Sequence, residues 1–199
     1  MDENRTQKTR ALKLEDIPKF ESVFNAIKKA YGDVKRGKYK LRDLALVSIL
    51  TFTGCRLGEC LKLKANDLDP KAKTVRILQE KKGYEHPRVV PIPNQLFWDV
   101  IEGYLRRIPS KKDLLFPISE RQARNVVYKF SKRYLGKRVR PHALRHSYAI
   151  FVLKNTKDLE ALRRLLGHSD YKWLKCYLDY SQEDLTQELE RAFKNIEGV

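Results

Sequence analysis

Apolar positions along this chain recur at two different periods, and the changes of period outline its elements. Ile17, Phe20, Phe24 and Ile27 fall at three- and four-residue spacing, which predicts a helix over residues 17–31 with Asp16 as N-cap and Pro18 in the first turn. A basic loop over 32–40 follows. The apolar run 44–52 predicts a buried helix stopped by Gly54, after which Arg56 opens a further helix through Leu63. Residues 74–79 and 88–92 are rich in β-branched side chains and predict the two strands of a hairpin, joined by 80–87 around a central glycine. Residues 119–134 predict another helix, opened by the capping box Ser119-Glu120-Arg121-Gln122 and carrying Val126, Val127 and Phe130 as its buried stripe. Beyond Ser181, Leu185, Leu189 and Phe193 recur every four residues on a charged background, an amphipathic helix over 181–199. The expected fold class is α+β, mainly helical, with a small antiparallel β-sheet or hairpin.

Size and charge narrow the picture. The chain has 199 residues, 42% of them apolar, which suits one domain over 13–199 behind a polar tail over 1–12. No apolar stretch resembles a signal sequence or approaches the ~18 residues of a membrane span, so a cytoplasmic protein with no membrane partner is expected. Cys55, Cys60 and Cys176 form an odd, scattered set that reads as reduced thiols. The 42 Lys and Arg against 25 Asp and Glu leave a formal charge of +17. Abundant charge of both signs also marks proteins from hot environments, but an excess this lopsided favours a polyanionic partner bound with counterion release, and points to double-stranded DNA. The polar face of the 119–134 helix, with Arg121, Arg124, Lys129, Lys132 and Arg133, is the candidate contact surface, although such faces are more often merely solvated.

Five dispersed polar landmarks carry the chemistry: Arg56 in TGCRLGE, the Lys81-Lys82 pair, His142 with Arg145, His168 in LLGHS, and Tyr177. Transfer of a phosphodiester needs a nucleophile, cations around the pentavalent phosphorus and an acid for the departing oxygen. Arginine suits the clamp because its planar fork bonds two phosphate oxygens and stays charged. Arg56 near a helix N-terminus would share an anion site with free backbone N–H groups, and Glu59 one turn later would hold that turn or orient an arginine. His142 and Arg145 stand three apart, so on a helix they reach the same phosphate. His146, four from His142, invites a zinc reading, but HExxH chemistry lacks its glutamate and a third ligand is not apparent. His168 alternatively reads as a structural histidine beside a Ser169 N-cap, and paired lysines in a turn as solvated surface. Tyr171, Tyr177 and Tyr180 crowd one region in which most tyrosines would simply pack.

Taken in order, Thr53-Gly54-Cys55-Arg56-Leu57-Gly58-Glu59, Pro141-His142-Ala143-Leu144-Arg145-His146-Ser147, and Leu165-Leu166-Gly167-His168-Ser169 resemble the arginine boxes and LGHS segment of the tyrosine recombinase, or phage-type integrase, family. The resemblance runs from about Leu14 to Ser181 and implies a tyrosine recombinase catalytic domain: a site-specific recombinase that cleaves and rejoins DNA through a 3′-phosphotyrosyl intermediate, with no metal or nucleotide cofactor. It implies Arg56, His142, Arg145 and His168 on the phosphate, Lys82 as acid for the 5′ oxygen with Lys81 in reserve, and Tyr177 as nucleophile with Tyr180 in reserve. It also implies self-assembly on DNA, with the 181–199 helix exchanged between protomers, and action in the cytoplasm of a cell or of the host of a mobile element. Relatives of this kind carry a separate DNA-clamping domain, so the chain reads as a fragment or a minimal form. A type IB topoisomerase and a catalytically silent DNA-binding regulator are the alternatives.

Overall fold

A computed structural model describes residues 16–81, 84–110 and 112–167. Within them lie seven α-helices, α1 (Phe20–Lys35), α2 (Leu41–Thr53), α3 (Leu57–Leu61), α4 (Gln95–Leu105), α5 (Glu120–Leu135), α6 (Pro141–Thr156) and α7 (Leu159–Leu166). Between α3 and α4 lie three short strands, β1 (Leu68–Asp69), β2 (Thr74–Lys81) and β3 (Tyr84–Pro91), in an antiparallel sheet of order β1-β2-β3. The α+β, mainly helical class with a small antiparallel sheet is the one observed.

The core is organised around α2, which is apolar on all sides and buried from Leu44 through Thr53 because α1, α4, α5 and α6 pack around it. Aromatic rings weld three of these helices. Phe20 of α1 stacks on Phe151 of α6 at 4.1 Å and meets Phe52 of α2 edge-on at 5.9 Å. Side chains start several helices: Ser119 and Gln122 form the expected reciprocal box at α5, Asn94 accepts from the Phe97 N–H at α4, and Asp158 accepts from the Ala161 N–H at α7.

Three boundaries differ from those read in the sequence. The first helix begins at Phe20 with Lys19 as its N-cap, not at Ile17 behind Asp16, because a residue before proline is driven out of the helical region. It then runs through Gly32 to Lys35, absorbing half of the expected basic loop, with Arg36 and Asp33 paired at 2.7 Å. The helix after Gly54 is a single turn, with Arg56 as N-cap and its end at Leu61 instead of Leu63. The hairpin is longer than expected: pairing continues from Thr74↔Pro91 out to Lys81↔Tyr84, so most of 80–87 is strand. Pro87 is tolerated because β3 is an edge strand. The helix predicted over 181–199 lies outside the described residues.

Candidate active site

Gly54 makes the site possible. It caps α2 in the left-handed conformation at φ 60°, and a Cβ there would collide with the Tyr148 ring and with Leu166. The chain can therefore turn sharply between α6 and α7 and deliver Arg56 to the surface. Thr53 secures the turn, its hydroxyl donating to the Ile49 carbonyl at 2.7 Å and accepting from the Cys55 N–H at 3.2 Å. Cys55 and Cys60 are buried free thiols that pack beneath it, and Cys176 lies outside the described residues.

Arg56 is held by Glu59 twice. The Glu59 carboxylate accepts from the Arg56 backbone N–H at 2.9 Å and from its guanidinium at 3.0 Å. Both roles read for Glu59 in the sequence, holding the turn and orienting an arginine, are present. With one helical turn behind it, the anion-attracting character of this corner rests on side chains more than on a helix dipole. Burial pushes the Glu59 carboxyl up, and the Arg88 guanidinium, with the Arg56 N–H and the Arg145 charge, more than reverses this, so its pKa lies below the usual carboxylate value.

The other half of the site is the start of α6, where Pro141 occupies the first turn and Arg140 the N-cap. His142 and Arg145 share one side, as their spacing predicts. Arg145 is 3% exposed, and its guanidinium donates to the Gly54 carbonyl at 2.6 Å and the Leu166 carbonyl at 3.0 Å. Burial and then the Arg56 charge push its pKa down to about 10, which leaves it protonated at neutral pH. His142 opens on solvent, and burial of its inner side with the Arg145 and Arg56 charges pushes its pKa below 6.5. His146 stands edge-on to it at 4.8 Å and is pushed down to about 4, by burial first and then by His142 and Arg145. Among the described residues no group of three or more His, Cys, Asp or Glu could hold a metal ion.

Arg56, His142 and Arg145 line one open cavity of about 270 Å³. Arg124 of α5 lines it too, along with Tyr128 and Arg140, which the sequence reading missed. Arg140 directly precedes the Pro141-His142 pair, and Tyr128 is one helical turn beyond Arg124, so both were within reach of a helical projection. Arg138 covers the Tyr128 ring at 3.9 Å. Arg133, by contrast, stays on the surface away from the cavity, pairing with Asp33 at 2.9 Å and donating to the Lys38 carbonyl at 3.1 Å. Arg121, Lys129 and Lys132 are exposed on α5. Lys82, His168 and Tyr177 lie outside the described residues, as does the Lys81 side chain; the Lys81 backbone ends β2 at the tip of the hairpin.

A cavity of this kind gathers four arginines and an imidazole uncharged at neutral pH around the place of a tetrahedral anion, an arrangement suited to neutralising charge at phosphorus. Comparison with known proteins identifies the family and the fold. The family model described as the phage integrase family matches residues 21–184. The chain is 32% identical over 163 residues to tyrosine recombinase XerA of Pyrococcus furiosus, covering 78% of this chain and 56% of that protein. It is 31% identical over 163 residues to tyrosine recombinase XerD of Yersinia pestis, covering 74% and 53%. The chain thus spans about half the length of these relatives. The crystal structure of XerA recombinase shares its fold with a TM-score of 0.68 at 23% identity, over 88% of this chain and 66% of that one. So does XerH site-specific recombinase in a post-cleavage complex with palindromic difH substrate, with a TM-score of 0.67 at 22% identity, over 89% and 52%.

Proposed function

The chain belongs to the phage integrase family, and from that premise we propose that it is the catalytic region of a site-specific DNA recombinase, cleaving and rejoining duplex DNA by transesterification. The observation that carries this reading is the convergence of Arg56, His142 and Arg145, from two distant parts of the chain, on one open cavity. The +17 charge supports a DNA partner.

In the proposed reaction the Tyr177 phenolic oxygen attacks phosphorus and the bond to the 5′ oxygen breaks, leaving a 3′-phosphotyrosyl ester and a 5′ hydroxyl. Arg56 and Arg145 bind the non-bridging oxygens, where a missing donor costs about 2.7 kcal/mol or more in the transition state. His142, uncharged at neutral pH, supplies a hydrogen bond and an acceptor for the phenolic proton. Lys82, with Lys81 in reserve, gives a proton to the departing 5′ oxygen, and His168 assists at the phosphate. Attack by a partner strand's 5′ hydroxyl reverses these steps. The ester conserves the bond energy, so the scheme draws on neither a metal nor a nucleotide. Residues 13–199 acting as one domain, assembly on DNA and exchange of 181–199 between protomers belong to the same reading. Unchanged DNA-dependent assembly after truncation at Gln182 would remove the exchange.

The experiment is covalent capture. Duplexes retained by the protein from a randomised pool are remade with a nick beside each candidate cleavage position, incubated, denatured, and any adduct is mapped by peptide mass spectrometry. An adduct on Tyr177 is expected. An adduct on Tyr180 keeps the reaction and moves the nucleophile; a tightly bound duplex that yields no adduct at any position refutes strand transfer.

A further inference from the structure

Beyond the residues that face the cavity, we infer that Arg88 is a positioning residue that holds Arg56 at the phosphate through Glu59, and that it registers Arg56 to the same helix end that holds Arg145. The inference rests on the strand-transfer reading above. Arg88 lies on β3 and is 8% exposed. Its guanidinium donates to one Glu59 carboxylate oxygen at 2.7 Å, to the other at 3.4 Å, and through Nε to the Leu165 carbonyl at 2.9 Å.

Glu59 is therefore gripped from two sides. Its Oε1 accepts from the Arg56 and Arg88 side chains, and its Oε2 from the Arg56 backbone N–H and the Arg88 side chain. The Glu59 side chain is only 10% exposed, whereas that of Arg56 is 44% exposed. A carboxylate so enclosed needs a buried counter-charge. Arg88 supplies it. Without Arg88, Glu59 either takes up a proton and loosens its hold on the Arg56 turn, or draws the Arg56 guanidinium inward and away from the phosphate. Both outcomes disable the clamp without touching DNA.

The third Arg88 bond extends the consequence. Leu165 and Leu166 end α7, where helix carbonyls lack partners within the helix. Arg88 takes the first and Arg145 the second. Arg145 is thus referenced to the α7 terminus directly, and Arg56 to the same terminus through Glu59 and Arg88. Two guanidiniums that must bracket one phosphorus are spaced by a single helix end.

The test uses the full chain and the duplex that wild type cleaves fastest, made both with its ordinary phosphodiester and with an uncharged methylphosphonate at the cleaved position. Arg88→Lys keeps the charge but cannot span three acceptors; Glu59→Gln breaks the same link from the other side without changing shape, and carries the test should the first variant fail to fold. For each, single-turnover cleavage, duplex affinity and melting temperature are measured. Expected is cleavage slowed at least about tenfold on the phosphodiester with affinity within about twofold, the pattern of an interaction made in the transition state. On the methylphosphonate, which has less charge to neutralise, the gap from wild type shrinks to within about threefold. An equal defect on both substrates would mean that Arg88 serves folding alone, and cleavage at the wild-type rate would remove it from the reaction; either overturns the inference. If wild type binds duplexes but cleaves none of them, so that no such substrate can be chosen, strand transfer itself is refuted and the inference goes with it.

Discussion

Replacing Arg145 with lysine separates two jobs that one side chain performs. The guanidinium bonds two buried carbonyls, Gly54 at 2.6 Å and Leu166 at 3.0 Å, and so ties the α2 turn to the end of α7 in addition to facing the cavity. A hydrogen bond from a charged donor is worth about 1.5–3 kcal/mol, so the pair contributes roughly 3–6 kcal/mol. A lysine ammonium keeps the charge but reaches one carbonyl, recovering about half, and the expected loss is roughly 1.5–3 kcal/mol. For a chain of this size that lowers the melting temperature by about 3–12 °C. Arg56→Lys is the internal control: its side chain is 44% exposed, and Arg88 keeps the enclosed Glu59 carboxylate paired, so it should cost under about 1 kcal/mol, or ~3 °C. Both variants should lose cleavage. Thermal unfolding by circular dichroism reads the difference, and an Arg145→Lys protein melting within about 2 °C of wild type would refute the structural half of its role.

Other expected outcomes follow from single features. Gly54→Ala places a Cβ at φ 60° against Tyr148 and Leu166, which should cost roughly 2–5 kcal/mol in urea unfolding, and a neutral result would disprove the close approach. His146 titrates near 4 when folded and near 6.5 when unfolded, so between those values the unfolded chain holds more protons and stability falls as pH drops from 7 to 5. After allowance for solvent screening of a partly exposed ring the loss is roughly 1 kcal/mol, and His146→Phe should flatten the melting temperature over that range. Arg124→Ala removes a cavity cation, paired with Glu120 in the free protein, and should reduce the slope of log affinity against log salt by about one, whereas Arg133→Ala, which is away from the cavity and paired with Asp33, should leave the slope unchanged and lower stability; equal slopes for the two would contradict the placement of α5.

What the sequence revealed and what it hid divide along chain separation. Gly54, Arg56, Glu59, His142 and Arg145 were legible because the Gly54 cap, the Arg56–Glu59 pair and the shared side of His142 and Arg145 are set within a turn or two, where three- and four-residue spacing decides who faces whom; the carbonyls that Arg145 bonds and the Glu59–Arg88 pair are long-range and were not. The α5 capping box was legible for the same reason. The extent of the hairpin was not, since polar residues 79–81 and 84–86 look like a loop and only their pairing with one another makes them strand. Nor did the basic face of α5 reveal which arginine lies away from the cavity and is held by another helix, because Arg133 is claimed by Asp33, a hundred positions away.

Arg88 shows why such a residue escapes and what would have caught it. Its partners are 29 and 77 positions away, so no local spacing points to them. Side chains alternate across a strand, however, and Arg88 shares its face with Val90, which is buried, while Val89 between them is 58% exposed. The arginine points in and the valine points out. Opposite it on β2 stand buried Ile77 and, opposite Val90, buried Val75, so the face of β3 that carries Arg88 is the core face. A charge set into that row is tolerated only if something across the chain neutralises it, and Glu59, equally enclosed and already committed to Arg56, has the same requirement from the other side. The inverted alternation of Arg88, Val89 and Val90 is thus the local trace of a long-range bond. An Arg88→Val/Glu59→Leu double variant tests that logic: by removing both charges it should unfold at a higher temperature than either single variant while remaining unable to cleave, and a double variant less stable than both would show that the two side chains do not answer one another.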